Sequence, residues 1–201
     1  MLLLSGCASN PGHYCNRYEG DIFNNEGTGT GKGKAIIGFH CGYDDPPTYE
    51  GDFERFIMSG KGKMTWLDGD FYEGEFLKGQ RTGQGKMAYL DGQVYEGEFL
   101  KGERTGQGKY TWPNGDFYEG EFLKGERIGQ AKVKYLMPKG EAWNIHWVFA
   151  PGIYEGTVLN NQFHGWGRYS YETGEIWEGQ FSVGKPVPAT GKFKYPNGDT
   201  W

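Results

Sequence analysis

Residues 72–94 read YEGEFLKGQRTGQGKMAYLDGQV, and residues 95–117 read YEGEFLKGERTGQGKYTWPNGDF. The second stretch is nearly a copy of the first. The preceding 23 residues, YEGDFERFIMSGKGKMTWLDGDF from Tyr49, follow the same plan. Outward from this core, an aromatic-Glu-Gly triplet starts at Tyr18, Tyr49, Tyr72, Tyr95, Tyr118, Tyr154 and Trp177. Self-similarity at a fixed period marks an array of one small folding unit.

Within residues 72–94, Tyr72, Gly74 and Phe76 alternate with Glu73 and Glu75, the period of a strand. The stretch Leu77–Gly83, with two glycines, is expected to turn the chain. In the strand that follows, Gly85, Met87 and Tyr89 take one face and Gln84, Lys86 and Ala88 the other. Asp91-Gly92 is a second turn signal, leading into the next unit. Gly74 and Gly85 fall on the aromatic face, where the missing side chains leave room for rings. On the opposite face Glu75, Glu98 and Glu121 are expected to pair with Lys86, Lys109 and Lys132. A single hairpin is marginal in water, so each unit needs its neighbours.

The pattern YEGEF-x-x-G-x-x-x-G-x-G-x-x-x-[YW]-x-[DN]-G resembles the MORN repeat family, over residues 18–201. The resemblance implies an all-β fold, an elongated single-layer twisted array of antiparallel β-hairpins. The chain is thereby expected to divide into a lipobox and tether at 1–17 and a repeat domain of about seven units at 18–201. The first unit carries an insertion around Cys41–Thr48, and the fifth is stretched, with an irregular extension at 136–153. The resemblance further implies a non-enzymatic scaffold or protein-binding module. A phospholipid- or glycan-binding membrane-apposed module, or the regulatory subunit of an enzyme, is the alternative. Edge-to-edge pairing through the last strand, GKFKYPNGDTW, would give homo-oligomers.

Composition agrees. The 201 residues include 36 glycines, and 17% are aromatic, which suits many short strands and turns. A formal net charge of −5, with both signs interspersed, argues against nucleic acid as a partner. The start MLLLSGCASN contains Leu4-Ser5-Gly6-Cys7, which looks like a bacterial lipobox. Lipidation of Cys7 would tether the chain to the membrane of a bacterial cell envelope. The outer membrane is favoured in a Gram-negative host, since no acidic residue follows Cys7 directly. Only Met1–Leu4 precede the motif's last residues, less than a signal peptide needs. With Cys7 lipidated, Cys15 and Cys41 are left to form a disulfide in an oxidising compartment.

No catalytic constellation stands out, and no cofactor or metal is expected. The run Gly27–Lys34 fails the phosphate-loop pattern, because position 26 is Glu26 and Gly33 follows Lys32. Glu50, Glu73, Glu96, Glu119, Glu155 and Glu178 form a ladder of like environments, unlike a catalytic carboxylate pair. His13, His40, His146 and His164 fit no ligand spacing. Candidate ligand-binding residues lie where the repeat breaks. Trp143, His146, Trp147 and Phe149 belong to the fifth unit's extension, WNIHWVF, which aligns as a degenerate half-unit. His164 and Trp166 fall in NNQFHGWG, expected to be the next unit's hairpin turn. Both groups could offer rings to a partner. They could equally fill the gap left by the broken repeat.

Overall fold

The alternation along each repeat becomes a pair of strands of unequal length. The computed structural model describes residues 4–5, 15–21, 29–39, 47–135 and 151–200. They fall into two units, residues 1–103 and 104–201. The first unit is an antiparallel meander. Its strands are β1 (Leu4–Ser5), β2 (Cys15–Gly20), β3 (Gly31–Phe39), β4 (Thr48–Glu54), β5 (Ile57–Thr65), β6 (Phe71–Leu77), β7 (Gln80–Ala88) and β8 (Val94–Leu100). The second unit holds β9 (Glu103–Thr111), β10 (Phe117–Leu123), β11 (Glu126–Tyr135), β12 (Gly152–Leu159), β13 (Gln162–Tyr171), β14 (Ile176–Ser182), β15 (Lys185–Pro186) and β16 (Lys192–Lys194). No described helix is long and apolar enough to cross a membrane.

The hairpin turn is shorter than the glycine spacing predicts. It is the pair Lys78-Gly79, with φ of 49° and 80°, and β7 already begins at Gln80. Two successive positive φ values give the primed turn that suits the strands' twist. Gly83, expected in the turn from the glycine spacing, does something else. The ladder runs Gly74↔Gly85 and then Glu75↔Thr82, so Gly83 and Gln84 form a bulge. Gly83 has φ 55°, and a Cβ there would stand 2.4 Å from a Glu75 carboxylate oxygen. That carboxylate accepts the Gln84 backbone N–H at 3.2 Å. The buried Tyr72 hydroxyl donates to the Glu75 carbonyl at 3.0 Å, with the Thr82 carbonyl 3.3 Å away. The bulge leaves carbonyls without ladder partners, and the tyrosine of every such hairpin serves them. Tyr49, Tyr95, Tyr118 and Tyr154 reach the carbonyls of Asp52, Glu98, Glu121 and Thr157.

The core of each unit is made of rings laid over glycine. A Cβ on Gly85 would lie 2.4 Å from the Tyr72 ring, and one on Gly62 or Gly167 would meet Tyr49 or Tyr154 as closely. Tyr72 is fully buried. It stands edge-on to Phe76 at 5.1 Å and to Phe99 of the next repeat at 4.9 Å. Tyr49 repeats this with Phe53 and Phe76. Such pairs contribute about 0.5–1.5 kcal/mol each beyond the area they bury. Arg81 closes the cluster. Its guanidinium lies 5.5–5.7 Å from the Trp66, Tyr72 and Phe99 rings, and Nη2 donates to the Gly102 carbonyl at 2.8 Å. Burial pushes the Tyr72 phenol up to about 12.

The charges on the other face pair differently from the sequence expectation. Lys86, Lys109 and Lys132 bond to Glu96, Glu119 and Glu155, at 2.9, 3.7 and 3.1 Å. These carboxylates belong to the first strand of the following repeat. Glu75, like Asp52 in the repeat before it, instead accepts the backbone N–H at its own bulge. The lysine pairs are about half exposed, so each is worth roughly 0–1 kcal/mol. They match one repeat to the next more than they hold either together.

Candidate functional site

The second unit departs from the repeat in two described places, and both shape its polar face. The first is β13. His164 and Trp166 do not lie in a turn. The turn is Asn160-Asn161, with φ of 47° and 64°, and both residues belong to the strand. In register Trp166 replaces Lys32, Lys61, Gln84, Gln107 and Gln130 of the other repeats. It faces Gln180 on the neighbouring β14 and is 62% exposed. Phe163 replaces the arginine of Arg81, Arg104 and Arg127, stacks on Tyr154 at 3.7 Å and fills the core instead.

The second departure is the partner of β14. Elsewhere a single strand of nine or ten residues carries the bulge. Here β15, a 3-10 turn at Pro188–Thr190 and β16 share that role, and both strands pair with β14. Pro186 and Pro188 have no N–H to give a continuous ladder. Thr190 Oγ1 accepts the Gln180 N–H at 3.1 Å, and the Val187 N–H reaches the Gln180 carbonyl at 2.8 Å. Trp177 takes the tyrosine position, and its indole lies over Gly191. Its Nε1 has no hydrogen-bond partner among the described residues.

On the polar face of β9 to β14 lies a shallow, wide-open groove of about 770 Å³. One rim carries Gln107, Gln130 and Trp166. The other carries the charged row Glu119, Lys132, Glu155, Arg168 and Glu178. The floor is the backbone at Gly120, Ala131, Gly156 and Gly167. Side-chain donors and acceptors therefore line a trough that crosses the strands, with one exposed indole on its edge. His164 is exposed but is not among the lining residues. The glutamates of the ladder here are bound to cations: Glu119 to Lys109, Glu155 to Lys132, and Glu178 to Arg168 and Lys194. Lys194, whose ammonium hydrogen-bonds Glu178, holds that carboxyl below the usual carboxylate range. No described group of three or more His, Cys, Asp or Glu residues is placed to hold a metal.

Trp143, His146, Trp147 and Phe149 lie outside the described residues, as do Cys7 and Cys41. The backbone of Cys15 pairs with Phe39 in the β2–β3 ladder. β11 pairs directly with β12, from Gly129↔Val158 to Tyr135↔Gly152, and the expected half-unit WNIHWVF between them in sequence lies outside the described residues. Sequence reading also missed Arg168, Lys192 and Lys194: the first two sit where the repeat normally has a lysine, Lys194 sits where it has Thr65, Ala88 or Thr111, and none raises a signal alone.

A bulged hairpin with tyrosine over glycine, iterated in register and presenting a polar face, defines a repeat protein of the binding or scaffold type. The chain belongs to the MORN repeat family, whose model matches residues 49–71, 72–94, 95–117, 118–135, 154–176 and 190–200. Members of this family are generally non-enzymatic binding modules. No curated protein matches the chain. Among solved structures it is similar to the TCP domain of SAS-4 (dCPAP) from Drosophila melanogaster in complex with a proline-rich motif of Ana2 (dSTIL). The two are 12% identical with a TM-score of 0.50, over 92% of this chain and 88% of that one. It is also similar to the TCP10c domain of Drosophila melanogaster Sas-4, at 12% identity and a TM-score of 0.47, over 92% of this chain and 96% of that one.

Proposed function

We propose that the chain is a protein-binding module and that the groove beside Trp166 seats an extended, proline-containing segment of its partner. The observation that carries this is Trp166 itself, an exposed indole at a position where the five preceding repeats carry Lys or Gln (Lys32, Lys61, Gln84, Gln107 and Gln130). A buried core has no use for it there. Proline-rich segments are already extended, so they lose little entropy on docking, and aromatic surfaces bordered by hydrogen-bonding side chains suit them. The similar TCP domain was solved with a proline-rich motif, which supports the choice of ligand class. Trp166→Gln restores the residue of the neighbouring repeats. It is expected to weaken binding of a labelled proline-rich peptide roughly 30-fold, the effect of losing an aromatic hot spot of about 2 kcal/mol, with the unfolding midpoint unchanged. Equal affinity of wild type and variant in fluorescence anisotropy would sink the reading.

The lipobox-like Leu4-Ser5-Gly6-Cys7 supports a second element, a scaffold held at a bacterial membrane by lipid on Cys7. Labelling with a clickable fatty acid in a bacterial host is expected to mark the wild type and to be lost in Cys7→Ser. Label retained in the variant would remove the tether from the proposal.

A further inference from the structure

Charge on the polar face of the second unit is balanced along most of its width and then is not. Lys109 answers Glu119, and Lys132 answers Glu155. At β14 a single carboxylate, Glu178, is shared by Lys194 at 2.7 Å and Arg168 at 3.6 Å. Lys192 stands opposite Glu178 in the β14–β16 register, is exposed, and forms no ion pair among the described residues. Arg168 also stands opposite Glu155 in the β12–β13 register, but Glu155 bonds Lys132, so Arg168, Lys192 and Lys194 are left to share Glu178. The nearest further carboxylate in sequence, Glu175, is engaged by the Thr173 hydroxyl within its own turn. This excess belongs to a chain whose net charge is −5, so it is local.

The excess sits at a fixed reach from Trp166. Trp166 faces Gln180, and Glu178, two residues along β14, faces Lys192. Two strand spacings across and two residues along make about 12 Å. An extended segment covers that in roughly four residues.

We propose that this face selects an acidic partner segment: a proline or apolar ring lies on Trp166, and a carboxylate about four residues away reaches Arg168, Lys192 and Lys194. The proposal rests on the reading of the Trp166 groove as a peptide site and adds the charge of the peptide. A carboxylate supplied by the partner accepts the hydrogen bonds that three cations offer and one glutamate cannot take up, and charge-assisted bonds are the stronger kind. Chain charge elsewhere would repel such a ligand, so the contact also sets where on the protein it can land.

Three labelled twelve-residue proline-rich peptides test it, identical except for Asp, Ala or Lys four residues from a central proline. They are titrated against the full chain by fluorescence anisotropy. The Asp peptide is expected to bind at least about 10-fold tighter than the Ala peptide, and the Lys peptide weakest. The advantage is expected to shrink with added salt. Lys192→Glu/Lys194→Glu is expected to reverse the order, and its circular dichroism shows whether the fold is kept. If the double variant fails to fold, Lys192→Gln alone, an exposed change, is expected to narrow the Asp advantage. If all three peptides bind wild type within twofold of one another and Trp166→Gln weakens all three, acid selection is wrong and the groove stands. If no peptide binds, or Trp166→Gln changes nothing, the groove reading falls and this one with it.

Discussion

Gly85→Val is expected to lower stability by about 4 kcal/mol, read as a shift in the denaturant midpoint at unchanged slope. Gly85 is not in the left-handed region, so the backbone itself would accept a side chain. The objection comes from space. The new Cβ would lie 2.4 Å from both Cε2 and the hydroxyl oxygen of Tyr72. Tyr72 cannot step aside, because Phe76 and Phe99 stand against it at 5.1 and 4.9 Å. Overpacking of this kind costs about 1–3 kcal/mol. A displaced Tyr72 also abandons the Glu75 carbonyl, a loss of about 1–3 kcal/mol when the group is left unsatisfied. Gly79→Ala is the contrasting case. There φ is 80°, but the nearest atom to a Cβ is 3.6 Å away, so the penalty is conformational alone and about 1 kcal/mol. Equal effects from the two changes would mean that glycine serves backbone freedom at both sites, and the ring-over-glycine core would be wrong.

That contrast also explains what could be read from residues alone. The strand faces were legible, because alternation in YEGEF leaves one assignment that puts Tyr72, Gly74 and Phe76 together. The need for glycine beneath a ring was legible for the same reason. The position of the turn was not. Gly79 and Gly83 lie four residues apart and look alike as turn signals, yet one closes the hairpin and the other makes the bulge. Nothing local separates them, since the difference is what stands opposite on β6. The same bulge misled the charge pairing. With two residues inserted, Glu75 comes level with Thr82 and meets its own bulge's backbone, leaving Lys86 to the next repeat's Glu96.

The candidate site was legible in part. Trp166 stands out against Gln84, Gln107 and Gln130 once the repeats are aligned, and that comparison needs no coordinates. Its placement in a strand depends on the turn being Asn160-Asn161, two residues of a type that accept positive φ. The cation cluster was not legible. Arg168, Lys192 and Lys194 come from two strands separated by β14, and their excess appears only when β15 and β16 are seen to share one partner.

Tyr72→Ala is expected to cost about 4–5 kcal/mol, the top of the range for a buried aromatic, and the cost divides in a way that can be measured. Tyr72→Phe removes only the hydroxyl. Its ring still stands between Phe76 and Phe99 over Gly85, so the loss is expected to be about 1–2 kcal/mol, the value of a buried bond to the Glu75 carbonyl. The remainder belongs to the ring, its cavity and the cation of Arg81 at 5.6 Å. Combining Tyr72→Ala with Gly85→Val then separates packing from everything else. In the wild type the two positions compete for one volume, so the valine that is costly beneath a tyrosine enters space that the alanine has vacated. Contacting residues are non-additive, and the double variant is expected to be at least about 2 kcal/mol more stable than the sum of the single losses. Strict additivity would place the cost of Gly85→Val somewhere other than the Tyr72 ring. A Phe variant as damaging as Ala would move the weight of the repeat from the ring to the hydroxyl that serves the bulge.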